Sequence, residues 1–589
     1  MPKLTPAYRA LTFTVVVVLS LWGLAISRGR AQNPPVPGVV LTGDLRFRSA
    51  VNEFIESEFR IFPESATWAG DHRFDAKLED LSATGIANES RHAKKWIARF
   101  SAFASQALSP ANEADREFLA AQCNGELLRI DQLHDYAREP DMYLPTSAID
   151  QLVKRNFAPL AVRMDSVTAR ETAALRNLAA ARSNLDPRLT APVTIDITLE
   201  QMAATIRYFS NDLPAAFASV PDTPAKRAFG RANAKLIAAI EDYRNWLGHT
   251  LRHKASGSFA IGAKAYSRML ADDDMVDIPL AQIEAAGVLE LSRLQAEFRK
   301  STAQVNPKAA PAAVAASLER QHPAADHVIP EVRAGLTMLR TFVISHHIAT
   351  IPSAVMPIVA ETPPYMRATT FASMDTVGPL EKSKESYFYV TLPDPSWPPE
   401  KQGQLLAFYA PATISDTSVH EVFPGHYVQF LNNRLNPDRV RTLYSSGANV
   451  EGWALYCEQM MLDEGLHRGE PAYRVAELQM ALLRACRYLV GIRMHTQAMT
   501  VAQAQAFFER NAYQTPHNAR VEALRGTGDP GYLRYQLGKL MILKLRADVQ
   551  AKEGSAFDLG RFHDAFLREG AIPIKLIRRN MLHSDGPLL

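Results

Sequence analysis

Residues 417–430 read TSVHEVFPGHYVQF, and residues 450–460 read VEGWALYCEQM. The first stretch sets His420 and Glu421 side by side and places His426 after Pro424 and Gly425. In the common zinc-protease pattern two histidines stand four apart on one helical face, and the glutamate beside the first activates water. Here the histidines are six apart, which on a regular helix carries the second imidazole about 240° around the axis, so the two would diverge. Pro424 removes a helical donor and Gly425 tolerates unusual dihedrals, so the helix is expected to break or bulge there and return His426 toward His420. The second stretch offers Glu451 and Glu458, seven apart and therefore on one face of a helix. Two histidines and one of these carboxylates would leave a fourth tetrahedral position open, as in catalytic zinc sites, with Glu421 as general base.

Outward from these stretches, apolar residues recur at helical spacing over residues 172–183, 278–298 and 473–495, and no repeat of fixed period is present. SYFYVTL (386–392) alternates aromatic and β-branched residues up to Pro393 and reads as a strand. LLAFYA (405–410) is its expected partner, making a small antiparallel sheet just upstream of the histidines. Residues 306–325, rich in Ala and Pro, read as a surface connection. The fold expected is mainly α: a large, two-lobed helical body around a deep cleft, dividing near residues 253–258, with the sheet near the metal site.

Lys3 and Arg9 precede an apolar run from Ala10 to Ile26 and the polar stretch SRGRAQ, the order of a secretory signal peptide. Residues 1–31 are the expected signal, 32–44 an extended leader and 45–589 the functional domain. Cleavage after Ala31 leaves no stable membrane span; an uncleaved anchor is the alternative, since a run of about 17 apolar residues sits at the lower limit for a bilayer span, and with no Cys following the apolar run a bacterial-type lipid anchor has no attachment point. An exported protein, periplasmic or secreted, is expected. The chain has 589 residues, 47% hydrophobic and 22% charged, with a net charge of +3. Four of its positive charges, Lys3, Arg9, Arg28 and Arg30, lie in the signal, so the body stands at −1. A body so nearly neutral argues against nucleic acid as a partner. Cys123, Cys457 and Cys486 are too few to staple a chain of this size. A Cys457–Cys486 bridge is conceivable; buried free thiols are the simpler reading.

HEVFPGHYVQ followed by EGWALYCE resembles the signature of the bacterial domain-of-unknown-function 885 family, whose members are similar to zinc peptidases of the gluzincin type. FPESATWAGDHRFD from Phe62, GAKAYSRML from Gly262 and YLRYQLGKLMILKLR from Tyr532 look like further family segments. The 25 residues from His426 to Glu451 resemble the spacing to the third ligand in the oligoendopeptidase and angiotensin-converting enzyme families. The resemblance implies one Zn²⁺ held by His420, His426 and Glu451, with Glu458 orienting a histidine. It also implies Tyr535, three residues before Gly538, or Tyr532 as oxyanion donor, and it marks His495 as a recurrent histidine. Tyr532 and Tyr535 are expected on one helical face. Arg484, Arg487, Arg493 and Arg534 are open as clamps for a substrate carboxylate, while His346 and His347 read as structural or solvent-facing.

The function expected is hydrolysis of a peptide or small amide, with the substrate laid along the SYFYVTL strand by β-augmentation. Hydrolysis of a non-peptide amide or ester, or an inactive metal-binding envelope protein, are the alternatives. A purely structural site has no need of a base beside its ligand, which disfavours the last. No nucleophile elbow, phosphate loop or dinucleotide fingerprint is present. Chain-length preference and oligomeric state have no signature.

Overall fold

A computed structural model describes residues 42–103, 108–362 and 372–589. The expected signal peptide and most of the leader lie outside the described residues. The leader's last positions are not extended: Thr42 opens a helix that runs to Ile61, and Asp44 accepts a hydrogen bond from the Ser109 backbone N–H at 2.8 Å. The chain is mainly helical. Helices Leu160–Asn184 and Pro471–Thr496 cover two of the segments whose periodicity predicts them, and Leu280–Val305 covers the third except for Ile278 and Pro279, which precede its start. In Pro471–Thr496, Leu478, Leu482, Ala485 and Leu489 are all buried. Buried apolar side chains gather in two clusters: one draws only on residues between Leu81 and Leu251, and the larger one holds the helices that carry the histidine and glutamate motifs. All three cysteines are buried and free.

The sheet differs from expectation. It has three strands, β1 (Ile358–Glu361), β2 (Ala372–Asp375) and β3 (Tyr387–Val390), in the order β1-β3-β2. β1 runs parallel to β3 and β2 antiparallel to it. The sheet is therefore mixed, and the SYFYVTL strand is its centre, with both edges already paired. Residues 405–410 are not a strand. They fall in helix Pro399–Leu406 and a short 3-10 turn Ala407–Tyr409, because Pro399 sits at the first helical turn, where its missing N–H costs nothing. That turn still serves the sheet: the Tyr409 hydroxyl donates to the Thr391 carbonyl at 2.8 Å and accepts from the Thr391 N–H at 3.0 Å. Residues 306–325 are also more than a connection, since Pro311–Glu319 is a helix that buries Val314 and Ala315.

The site is positioned by helices Pro411–Glu421, His426–Leu435, Gly447–Asp463 and Arg534–Glu553. Asp274 fixes the start of the Gly447–Asp463 helix, accepting from the Ser446 hydroxyl at 2.6 Å and the Ala448 N–H at 2.9 Å, while Arg534 Nε donates to its other oxygen at 2.7 Å. A carboxylate there meets the helix's unpaired N–H groups and its positive dipole end. The helices Gly447–Asp463 and Arg534–Glu553 touch backbone to backbone. A Cβ built on Gly538 would lie 1.7 Å from the Ala448 carbonyl oxygen, and one on Gly452 would lie 2.5 Å from the Gly538 Cα.

This contact yields a stability prediction. Gly538→Ala must push two helices apart and should cost about 3 kcal/mol or more, the upper range for overpacking. Gly230→Ala, in an open position of helix Pro224–Trp246, should instead stabilise by about 0.5 to 1 kcal/mol through helix propensity. Denaturant melts of the two variants check the contrast; equal midpoints would remove the contact from the account of the fold.

Candidate metal centre

The helix Pro411–Glu421 stops, and a new helix begins with His426 as its first residue. Between them the chain doubles back: the Gly425 N–H donates to the Val419 carbonyl at 3.0 Å. A Cβ at Gly425 would lie 1.8 Å from the His420 carbonyl oxygen, so only glycine fits this return. The loop is also pinned from the second motif, by the Trp453 indole N–H donating to the Pro424 carbonyl at 3.0 Å. The break, rather than a continuous helix, brings the two imidazoles edge to face with centroids 4.8 Å apart.

His420 Nε2 stands 3.8 Å and His426 Nε2 3.6 Å from the same oxygen, Glu451 Oε2. All three residues are buried, and their candidate ligand atoms lie within 4.8 Å of one another. The histidine-to-carboxylate separations are too long for hydrogen bonds. They are close to the roughly 3.4 Å edge of a tetrahedron whose metal-ligand bonds measure about 2.0 to 2.1 Å. Two nitrogens and a carboxylate oxygen suit a borderline-soft divalent cation such as zinc. Among the described residues this is the one His/Cys/Asp/Glu group of that kind.

Glu458 Oε1 lies 2.6 Å from His420 Nδ1. A carboxylate acceptor there places the imidazole proton on Nδ1 and leaves the Nε2 lone pair facing Glu451. Burial pushes the Glu451 carboxyl up, yet the two histidines and Arg525 outweigh it and hold the group down at about 2. Glu458 is likewise pushed up by burial and drawn lower by Arg484, His420 and Lys539. His426 is pushed down by burial but raised overall by Glu451, with smaller contributions from the charges of Glu421 and Glu458. Glu421, the last residue of its helix, is half-buried, so solvent reaches it.

The other expected residues separate. The Tyr535 ring stacks near His420, centroids 6.5 Å apart and 24° from parallel, with Arg484 and Arg487 guanidinium groups 5.9 and 5.7 Å from its centre. Tyr532 does not share its helix. It lies in the turn before Arg534, fully buried, and its hydroxyl donates to the Glu522 carboxylate. His495 packs against Phe259 and Tyr266, has its Nε2 2.8 Å from the Gly526 carbonyl, and is pushed by burial down to about 4. Its contacts are with these groups and not with the His420–His426–Glu451 cluster. Arg487 is committed to Glu522 through two 2.7 Å bonds, Arg493 to Glu284 at 2.7 Å, and Arg534 to Asp273 and Asp274. His346 and His347 are exposed.

Several contributors escape motif reading. Trp453 ties the loop down, and Phe430, one turn beyond His426, stacks on its imidazole at 5.8 Å. Behind Glu458 stand Asp416, Glu477 and the fully buried Lys539, whose Nζ is 3.8 Å from Glu477. Only the spacing of Asp416 and His420, one turn apart on a helix, signals any of this in the sequence.

The geometry predicts how metal content should respond to substitution. His420→Ala should abolish stoichiometric zinc in dialysed protein. Glu458→Ala, which removes only the orienting acceptor, should weaken zinc about 10- to 100-fold in chelator competition. Undiminished zinc in His420→Ala would refute the site.

No curated protein matches the chain. Among solved structures, a candidate lipoprotein of unknown function from Shewanella oneidensis shares 27% identity over 91% of this chain and 99% of its own, with a TM-score of 0.78. A candidate lipoprotein from Colwellia psychrerythraea, 17% identical, shares the fold over 92% of this chain and 99% of its own, with a TM-score of 0.75. Residues 63–581 match the model of the bacterial proteins of unknown function DUF885, and the chain belongs to that family.

Proposed function

We propose that this protein is an exported, zinc-dependent hydrolase of peptide bonds, similar to gluzincin-type metallopeptidases. The observation that carries the reading is the half-buried Glu421 next to His420, where His420, His426 and Glu451 converge. When bound, the ion supplies Lewis acidity that eases ionisation of a water and polarises the scissile carbonyl. His420, His426 and Glu451 hold it, and Glu458 keeps His420 in the required tautomer and orientation. Glu421 accepts the proton of the attacking water and delivers it to the leaving amine. Tyr535 donates its phenolic hydrogen to the developing oxyanion.

Substrate enters a cleft between two helical lobes. Its main chain cannot add to the SYFYVTL strand, whose two edges are taken by β1 and β2. The candidate lipoproteins with the same fold, together with the N-terminal apolar run, support export. No described helix is long and apolar enough to cross a membrane.

Metal analysis combined with digestion of a broad peptide library tests the reading. Glu421→Gln should keep zinc and lose turnover by several orders of magnitude. Tyr535→Phe should lower kcat and kcat/KM together by about 10²- to 10³-fold while zinc and fold are preserved. Near-normal turnover in Glu421→Gln would exclude the assigned base, and a rise in KM at constant kcat in Tyr535→Phe would mark a ground-state contact instead.

A further inference from the structure

One guanidinium borders both of the tyrosines that the sequence singles out. Arg487 Cζ stands 5.3 Å from the centre of the Tyr532 ring and 5.7 Å from that of Tyr535, within the range at which an aromatic ring attracts a cation. The Tyr535 ring also stacks near His420, so an imidazole and a planar cation together limit how the phenol can tilt.

A guanidinium on a long stem stays against a ring only if its plane is fixed. Arg487 Nε and Nη2 donate to Glu522 Oε2 and Oε1, both at 2.7 Å, the paired geometry that sets the orientation of an arginine as well as its position. Glu522 is fixed in its turn, because the Tyr532 hydroxyl donates to the same Oε2 and lies 3.1 Å from the Glu522 carbonyl oxygen. Burial pushes the Glu522 carboxyl up, but Arg487 and Arg525 outweigh it and hold the group down at about 2. Glu522 belongs to helix Pro516–Gly528, Arg487 to Pro471–Thr496 and Tyr535 to the first turn of Arg534–Glu553. One run of contacts, from Tyr532 through Glu522 and Arg487 to Tyr535, thus joins three helices.

We infer that Arg487 is a positioning residue for Tyr535, oriented by Glu522 and Tyr532, so that the two tyrosines act in series: Tyr532 locks the support and Tyr535 faces the metal centre. The inference rests on the peptidase reading for what Tyr535 does, but not for how Tyr535 is held. An oxyanion donor works only within about 2.7 to 3.1 Å of the developing charge, and a shift of about 1 Å can cost about 10²-fold. Two tyrosines acting in parallel would substitute for each other; two in series cannot.

The kinetic test is a double-mutant cycle on the zinc-loaded protein. Arg487→Met should lower kcat about 10- to 100-fold at unchanged KM. In Tyr535→Phe, which keeps the ring but has no hydroxyl to misplace, the same change should cost nothing further. Tyr532→Phe should follow this pattern with a smaller loss. Equal losses in both backgrounds mark a general structural defect; they overturn the inference and keep the peptidase. Protein labelled with [ζ-¹³C]tyrosine gives a second readout that needs no turnover, the Tyr535 signal being the one missing from Tyr535→Phe. Tyr532→Phe should move that signal while Arg487 is present and leave it in place in Arg487→Met. A Tyr535 signal indifferent to Tyr532→Phe in the parent overturns the inference. Signals that move as expected in a protein that cleaves no peptide defeat the peptidase reading and keep the positioning role. Arg487→Met combined with Glu522→Gln removes both charges together and is read the same way if the single variant does not fold.

Discussion

Two carboxylates buried on a single helix set the terms for everything around them. Glu451 and Glu458 are 7% and 2% exposed, and a carboxylate taken out of water without compensation is among the costliest groups a fold can hold. Each is therefore surrounded. Glu451 faces two imidazoles and the charge of Arg525; Glu458 faces His420, Arg484 and Lys539. Lys539 is fully buried and would itself be intolerable without Glu477 and Glu458 nearby. The compensation is shared across helices Pro411–Glu421, Pro471–Thr496 and Arg534–Glu553, so none can shift without exposing a charge to the dry interior. The same carboxylate that faces the imidazoles raises the proton affinity of His426, so a metal held there would compete with a proton for one lone pair and would be held less tightly in acid.

Convergence of the ligands further depends on two places where backbone meets backbone. The Gly452–Gly538 contact draws the helix carrying Glu451 and Glu458 against the helix carrying Tyr535, and the return at Gly425 packs the chain onto the end of the His420 helix. Trp453 links the two, since it belongs to the Gly447–Asp463 helix and donates to Pro424 in the loop. Ligand spacing is thus controlled by glycine and by one indole, not by the ligands themselves. A side chain added at Gly425, Gly452 or Gly538 would meet backbone atoms at 2.5 Å or less and push these segments apart.

What the sequence makes legible follows the range of the interaction. The helices are readable because apolar periodicity is local, and the His420–His426 break is readable because Pro-Gly acts on its own neighbours. The sheet is not. Its strands are four residues long, and β1 and β2 lie on the same side of β3 in the chain yet flank it in space. That order depends on contacts no short window contains. Residues 405–410 look like a strand by composition, and the overlooked signal is the Pro398-Pro399 pair that starts a helix. Tyr532 and Tyr535 share a face only on a helix covering both, and the helix begins at Arg534, after the turn that contains Gly531. The partners of Arg487, Arg493 and Arg534 come from segments far away in sequence, which is why spacing left all of them open.

Those partners also limit what the site can recognise. Arg487, Arg493 and Arg534 each hold a carboxylate of the protein itself, and an acidic substrate group could recruit one only by drawing it away from that partner. Arg484 has a single 3.4 Å bond to the Met480 carbonyl, and its charge is felt by Glu458 and Asp416 behind the metal ligands. Withdrawing it toward a substrate would unbalance the acids that hold His420 in place. Charge in this part of the molecule is therefore committed to holding His420 and Glu451 in position, through Arg525 on Glu451 and through Arg484 and Lys539 on Glu458.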